Sequence, residues 1–270
     1  MGASPDYLDM NLGIEGNVAL CTAASSGLGL ASAKVLAAEG AHVAVCGRTP
    51  EHLEAAEAEI DEAGEGEVLA VEADITDRDH LSAFVEQTAD EFGGIDHVVT
   101  SAGGPPSGPF ASTDDEDWYQ AYDLLVMSAV WTLREARPYL EESDAGTAVA
   151  ITSRTVQEVA DDLVLSNAVR RGVIGLVKTL SREFAPEVRV NAVLPGAHET
   201  GRIVNLIEAA VKRGDVDSYE EGYEEWAADV PLDRIGEPAE LGDAVAYLSS
   251  ECASYVNGIA MPVDGGSLRS

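Results

Sequence analysis

Lysine is almost absent from this chain of 270 residues, which contains only Lys34, Lys178 and Lys212. Lysine and arginine together number 16, against 49 aspartates and glutamates, so the formal net charge is −33. A protein that binds nucleic acid or an anionic membrane needs a basic face, and this composition offers none. We therefore exclude nucleic acid and membrane as partners and expect a small-molecule ligand.

The acidic residues are spread over most surface-type segments, although the stretches EHLEAAEAEIDEAGEGE, TDDED and DVDSYEEGYEEW are denser. A uniformly acidic, lysine-poor composition is typical of proteins from salt-loving microbes. Such a surface repels itself in dilute buffer, and at ~1 M salt the Debye length shortens to about 3 Å. We therefore expect a halophilic protein; the alternative is an ordinary acidic protein.

Cysteine, aromatic residues and long apolar runs are also scarce. The three cysteines cannot all pair, and Cys21 and Cys46 lie in apolar segments, which predicts buried thiols in a reducing compartment. The five histidines are scattered, so we expect no metal site. No apolar run could span a bilayer, and the N-terminal MGASPDYLDMNLG lacks the pattern of a secretory signal. We expect a cytoplasmic protein.

Short apolar segments alternate with longer segments of helical periodicity. Strands are predicted at residues 17–22, 42–46, 67–71, 97–101, 147–152, 188–193 and 258–263. Helices are predicted near residues 28–39, 51–63, 78–92, 115–140, 165–185, 202–213 and 237–250. Strands that are apolar throughout indicate a parallel sheet buried on both faces. The pattern predicts an α/β fold: a Rossmann-type doubly wound parallel sheet of about seven strands with helices on both faces.

No linker interrupts this series, so we expect one domain over residues 1–270. Residues 197–230 are too long for an ordinary connection between elements. We call them the lid segment and expect them to cover the site.

The first predicted strand runs into TAASSGLGLASAKVL, a glycine-containing turn that opens a helix. In this context glycines let the backbone approach a pyrophosphate, and the helix N-terminus provides N–H groups. A helix start without a ligand is the alternative. The turn predicts cofactor contacts at Thr22, Ser25, Ser26, Gly27, Leu28 and Gly29.

Further motifs follow in order: ADI at 73–75, TSAGG at 100–104, NAVLPG at 191–196 with Thr200, and VDGG at 263–266. With the turn, they resemble the classical short-chain dehydrogenase/reductase family over about residues 12–266. The first glycine of the family's loop is here Ala23, and two asparagines are replaced in TSAGG. The resemblance implies cofactor contacts at Asp74, Ile75, Ser101, Ala102, Gly103, Pro195, Gly196 and Thr200.

The end of the second predicted strand, AVCGRTP, bears on the choice of cofactor. An acid there binds the ribose 2′-hydroxyl of NAD, whereas an arginine accommodates the 2′-phosphate of NADP. Gly47 occupies the position of the acid and Arg48 follows it. We therefore expect NADP(H) in preference to NAD(H), the alternative being that Arg48 is a solvated surface residue.

The family resemblance implies a catalytic serine, tyrosine, lysine and asparagine, and only the serine, Ser153, is present. The tyrosine position is Ser166, the lysine position is Arg170, and the asparagine position is Leu125. Ser166 and Arg170 are four residues apart and so share a helix face. Arg170 can still bind ribose hydroxyls, but an aliphatic hydroxyl is a poor general acid. The segment is similar to the subgroup of 3-oxoacyl-(acyl-carrier-protein) reductase-like members.

Another residue could supply the proton. His198 lies near the expected nicotinamide edge, and an imidazole suits proton transfer; a loop histidine without a role is the alternative. Tyr219 and Tyr223 lie in the lid segment, and Arg154 could hold an anionic substrate or be a plain surface cation.

Two functions remain open at this point. One is an NADP(H)-dependent reductase acting on a carbonyl or alcohol with a changed proton donor. The other is an inactive nucleotide-binding paralogue that acts as a sensor or structural subunit. The resemblance implies a homotetramer, built through the helices at 115–140 and 165–185 and the last predicted strand, 258–263.

Overall fold

Seven parallel strands form one sheet in the computed structural model, which describes residues 11–269. The strands are β1 Val18–Cys21, β2 His42–Gly47, β3 Val68–Glu72, β4 His97–Thr100, β5 Thr147–Ile151, β6 Arg189–Pro195 and β7 Ala260–Val263. Their order is β3-β2-β1-β4-β5-β6-β7. The order reverses direction between β1 and β4, and in such sheets ligands bind beyond the carboxyl ends of the strands at that switch point.

Nine α-helices lie among the residues that the structure describes. They are α1 Gly27–Ala38, α2 Pro50–Asp61, α3 Arg78–Phe92, α4 Asp115–Tyr122, α5 Ser128–Glu142, α6 Val164–Glu183, α7 Gly201–Arg213, α8 Tyr219–Ala228 and α9 Pro238–Ser249. One core packs α3, α5 and α6 against the sheet, and a second packs α1, α2 and α9 against the other face. The three-layer arrangement confirms the predicted doubly wound fold.

The predicted helix at 115–140 is interrupted in the structure by a π-helical turn at Asp123–Met127, between α4 and α5. Leu125, which occupies the family's asparagine position, lies in this turn and is buried. An apolar, buried side chain here packs in the interior and offers no polar atom to the site. The apolar periodicity of so short a segment cannot distinguish a π turn from an α turn, because a π turn adds only about one residue to the turn.

The lid segment contains two helices where the sequence pattern predicted one. After α7, the chain turns at Gly214 (φ 77°) and enters α8, whose first turn is capped by the Ser218 hydroxyl accepting from the Glu221 amide. Ile203 and Ile207 of α7 pack with Ile235 in a small cluster separate from both main cores. Among residues 11–269, no helix is long and apolar enough to cross a membrane.

Candidate active site

The turn between β1 and α1 has a backbone that few residue types adopt. Ala23 has φ 47° and Gly27 has φ 61°, both in the left-handed region. A Cβ atom at Gly29 would lie 3.0 Å from the Ala23 carbonyl oxygen and 3.1 Å from the Ala24 Cα atom. Ala23, at the position of the family's first glycine, thus adopts a left-handed conformation that favours glycine.

Thr22 joins this turn to the end of β4. Its hydroxyl donates to the Ser101 carbonyl oxygen at 2.9 Å and accepts from the Ser101 amide at 3.0 Å. These two bonds hold the carboxyl ends of β1 and β4 together beside the switch point. Ser26, the N-cap of α1, makes no side-chain capping bond, so the N–H groups of the first turn face the cleft without that partner. Free N–H groups in a glycine turn suit a pyrophosphate, so these residues fit a dinucleotide.

Gly47 at the end of β2 packs directly against Ser25. A Cβ atom at position 47 would lie 2.8 Å from the Ser25 Cβ atom, closer than two such atoms pack. The position that carries an acid in NAD-binding chains therefore has no room for a side chain while Ser25 keeps its place. Arg48 follows it and is exposed.

Asp74 lies beyond the end of β3. Its Oδ1 atom accepts from the Thr76 amide at 2.9 Å and from the Thr76 hydroxyl at 2.7 Å. Burial opposes ionisation of this carboxyl, but the Thr76 hydrogen bonds and the nearby charge of Arg48 lower its pKa overall. Ile75 beside it is buried. Arg48 and Asp74 thus lie near each other, beyond the ends of β2 and β3.

Arg170 is 8% exposed and its guanidinium lies in the wall of the site. Its Nε atom donates to the Ser166 Oγ atom at 3.2 Å, Nη1 donates to the Thr152 carbonyl oxygen at 3.3 Å, and Nη2 donates to the Gly103 carbonyl oxygen at 3.0 Å. One side chain of α6 thus joins the carboxyl ends of β4 and β5. No carboxylate lies within 4.0 Å of it among residues 11–269.

Burial lowers the pKa of Arg170 to about 10, and the like charge of Arg202 adds to the effect. A group with this pKa is still protonated near neutral pH. Arg170 therefore presents a buried positive charge that no acidic side chain of the described residues neutralises. Such a charge is costly unless it stabilises a negative group elsewhere in the site.

The Ser166 hydroxyl, which contacts Arg170, is linked through Thr155 to Ser153. The Ser166 Oγ atom lies 3.1 Å from the Thr155 Oγ1 atom, and the Ser153 Oγ atom accepts from the Thr155 amide at 3.2 Å. Thr155 is buried and belongs to a short 3-10 turn after β5. Sequence reasoning missed Thr155, since the only signal was a polar residue two positions after Ser153.

Two adjoining concavities meet at Arg170. A cleft of ≈ 700 Å³ is lined by the glycine turn, Leu28, the 101–103 segment and Thr200. A pocket of ≈ 500 Å³ is lined by Ser153, Ser166, Pro195, Gly196, His198, Arg202 and Trp226, among others. Arg170, Thr200 and Arg202 line both. Most of the predicted cofactor residues thus line the cleft, but Thr22 and Ser25 of the turn do not, and the catalytic candidates line the pocket.

The β6 end closes the bottom of the pocket. Pro195 ends β6, and a Cβ atom at Gly196 would lie 2.7 Å from the Asp264 Cα atom, so a side chain at position 196 would force the segments around 196 and 264 apart. Thr200 is the N-cap of α7 and makes no side-chain capping bond. Its hydroxyl is therefore available to a ligand in the cleft.

The candidate proton donors differ in position. His198 is buried, its Nδ1 atom lies 3.4 Å from the Gly196 carbonyl oxygen, and burial lowers the pKa of its imidazole. The Tyr219 hydroxyl donates to the Glu199 Oε1 atom at 3.1 Å, and Tyr219 and Tyr223 pack on the isoleucine cluster of the lid segment. Desolvation is the largest cause that raises the pKa of Tyr219, and the hydrogen bond to Glu199 and its negative charge add to the effect. Of the three, His198 is the one that lines the pocket.

Arg154 lies outside this pocket. It lines a neighbouring concavity of ≈ 460 Å³, which shares Ser153, Gly196 and Trp226 with the pocket. Glu225 and Asp229 line the same concavity as Arg154. Acidic side chains therefore share this concavity with Arg154.

The chain is similar to known oxidoreductases. A family model described as enoyl-(acyl carrier protein) reductase matches residues 22–267. The 3-oxoacyl-(acyl-carrier-protein) reductase FabG of Thermotoga maritima is 31% identical over 256 residues, which cover 94% of this chain and 98% of the relative.

Two solved structures are also similar. The L-sorbose reductase of Gluconobacter frateurii, complexed with NADPH and L-sorbose, has a TM-score of 0.93 and 30% identity over 97% of this chain and 100% of its own. A short-chain oxidoreductase of Pseudomonas aeruginosa, bound to NADPH and described as containing an atypical catalytic centre, has a TM-score of 0.86 and 32% identity over 94% and 97%. These matches confirm the resemblance, and the chain belongs to the short-chain dehydrogenase/reductase family of oxidoreductases.

Proposed function

We propose that this protein is an NADP(H)-dependent oxidoreductase that reduces the carbonyl of a small molecule, such as a 3-oxoacyl compound, without the tyrosine usual in its family. The observation that carries the proposal is the buried, uncompensated charge of Arg170 between the cleft and the pocket. The NADPH-bound relatives, one with an atypical catalytic centre, support the cofactor and the reaction class.

Separate groups of residues would bind the cofactor and act on the substrate carbonyl. The glycine turn, Ser101, Ala102 and Thr200 would hold NADP(H), which supplies the hydride when bound. Ser153 polarises the substrate carbonyl by donating a hydrogen bond to its oxygen. The fixed charge of Arg170 would stabilise negative charge on the carbonyl oxygen of a substrate that is being reduced. Because the site is partly closed from water, this electrostatic effect is stronger than at the surface.

We propose that Arg48 confers the preference for NADP(H). The supporting observation is that Ser25 leaves no room at Gly47 for the acid that would bind a 2′-hydroxyl. Arg48→Ala is expected to raise the Kd for NADPH by about 10- to 100-fold, the loss of one charge-assisted interaction, with little change for NADH. Isothermal titration at fixed salt measures both.

Arg78→Ala is the matched control, since Arg78 is an exposed arginine paired with Glu135 on α5. An Arg48→Ala protein that keeps its discrimination between the two cofactors would contradict the assignment.

We propose His198 as the proton donor to the developing alkoxide. Its lowered pKa leaves the protonated form scarce near pH 7, so reduction should accelerate as the pH falls below the ordinary imidazole pKa, up to about tenfold per pH unit. His198→Gln is expected to lower kcat by about 10²-fold and to abolish that acceleration.

The measurement is the pH profile of NADPH oxidation, with His52→Gln, an exposed histidine of α2, as the control. If the rate of His198→Gln still rose as the pH falls, as in wild type, the proton would come from another group.

The whole proposal is tested by NADPH oxidation in concentrated salt with a panel of ketones, quinones and 3-oxoacyl thioesters. Turnover of at least one class, absent when Arg170 is replaced, is expected. Tight NADPH binding with no turnover on any carbonyl would instead identify an inactive paralogue that senses nucleotide or serves as a structural subunit.

We also propose one domain over the chain, with the lid segment closing over the pocket, and a homotetramer. The lid is supported by Trp226 of α8 and Arg202 of α7, which line the pocket. The tetramer is supported by the half-buried apolar residues of α5 and α6, including Trp131, Ile174 and Leu176. Light scattering at working salt is expected to give four times the chain mass, and a monomer would contradict the assembly.

A further inference from the structure

Arg202, the second residue of α7, reaches across the mouth of the site. Its Nη2 atom donates to the Ser107 Oγ atom at 3.4 Å, a long bond, in the loop that follows β4. Its Nη1 atom lies against Gly104, where any Cβ atom would overlap the guanidinium. The side chain thus bridges the lid segment and the β4 loop, at the boundary between the cleft and the pocket.

The charge of Arg202 has no acidic partner. No carboxylate lies within 4.0 Å of it among the described residues, although Asp161 and Asp162 line the same pocket. The neighbouring cation is Arg170, which is close enough for repulsion. Neither of these adjoining arginines has a carboxylate within 4.0 Å among the described residues, so their charges are available to an anion that enters the site.

The two arginines differ in the donors they have left. Arg170 uses three of its five N–H groups on Ser166, Thr152 and Gly103. Arg202 makes one long bond and keeps the rest of its planar, bidentate donor set for a ligand. A carboxylate matches this donor set in shape and charge.

We propose that the substrate is an oxo acid and that Arg202 binds its carboxylate while the carbonyl lies beside Ser153 and Ser166. This inference rests on the proposed reductase function and names its substrate class. The apolar remainder of the molecule would lie against Leu163 and Trp226, which line the pocket with these polar groups. Arg202 is then a specificity-determining residue, and Arg170 stabilises charge on the reacting oxygen.

The test compares acetoacetate with its ethyl ester, an uncharged analogue, in wild-type protein and in Arg202→Gln at one salt concentration. Wild type is expected to favour the acid in kcat/KM by about 10- to 100-fold, the value of one charge-assisted pair. Arg202→Gln should lose this preference for the acid. Its kcat/KM for the ester should stay within about threefold of wild type, a smaller change than the loss of one charge-assisted pair would cause. Arg213→Gln, at the other end of α7 and paired with Asp215, is the control.

Equilibrium binding provides a readout independent of turnover. Isothermal titration of the NADPH complex with succinate and dimethyl succinate should show that only the diacid binds, and that Arg202→Gln abolishes its binding. A raised Kd for NADPH in Arg202→Gln, with both substrates affected equally, would show that Arg202 holds the cofactor's pyrophosphate and would overturn the proposal. An ester that reacts as well as the acid in wild type would also overturn it. Succinate binding lost in Arg202→Gln, in a protein that turns over no carbonyl, would uphold the anion site and reject the reductase function.

Discussion

Replacing Arg170 by methionine is expected to lower kcat/KM for carbonyl reduction by about 10²- to 10³-fold, the usual effect of removing one group that stabilises a developing oxyanion. The guanidinium is the buried charge at the junction of the cleft and the pocket, and methionine fills similar space without charge. The Kd for NADPH should also rise, because the resemblance implies that the residue at this position holds the ribose. Steady-state kinetics and titration of NADPH measure the two effects separately.

A melting experiment separates the loss of charge from a loss of stability. Arg170→Met leaves the Thr152 and Gly103 carbonyl oxygens without this donor, so its melting temperature should fall by a few degrees, and activities are compared well below that temperature. Arg171→Met is the matched control, because Arg171 is the next residue of α6, is exposed, and donates only to the Asn167 carbonyl oxygen in the described structure.

Arg170→Lys keeps the charge but loses the forked geometry that reaches Ser166, Thr152 and Gly103 together, so its activity should be intermediate. If Arg170→Met retained wild-type kcat/KM, the charge would have no part in the reaction.

Salt is expected to have the second large effect. Raising NaCl from about 0.1 M to about 3 M should raise the free energy of unfolding by about 5 kcal/mol, or the melting temperature by roughly 10–20 °C, since screening removes repulsion among the acids. Six ion pairs join side chains within residues 11–269, far fewer than the 49 acids of the chain. Most carboxylates therefore depend on the solvent for charge compensation.

Sucrose at equal osmolality separates screening from the general exclusion of solutes, which strengthens burial in any protein. The rise should appear with NaCl and be small with sucrose, as followed by circular dichroism melts. A melting temperature that is flat across the NaCl series would remove the halophilic interpretation.

The fold was predictable because its strands are buried on both faces. β1 was expected at 17–22 and is Val18–Cys21, and β4 was expected at 97–101 and is His97–Thr100. Burial on both faces makes such strands apolar throughout, and the helices between them keep their own period. The π turn at Asp123–Met127 and the extra helix α8 were missed, since neither changes the apolar pattern strongly.

The proximity of candidate site residues was predictable where they share one helix face or one turn. Ser166 and Arg170 are a single helical turn apart, and their side chains are hydrogen-bonded. The contact between Arg202 and the β4 loop joins positions 95 residues apart, and no local pattern encodes it. The same holds for the acceptors of Arg170 on Thr152 and Gly103, because backbone carbonyl groups carry no residue-type signal.

The close packing of Gly47 against Ser25 restricts the order in which substitutions can accumulate in a lineage. Gly47→Asp alone would force two Cβ atoms to 2.8 Å, so the variant would shift the glycine turn before its carboxylate could meet a ribose. Ser25→Gly removes the obstacle without itself adding any group. We therefore expect Gly47→Asp to be tolerated better together with Ser25→Gly than alone, so that the two positions change as a pair.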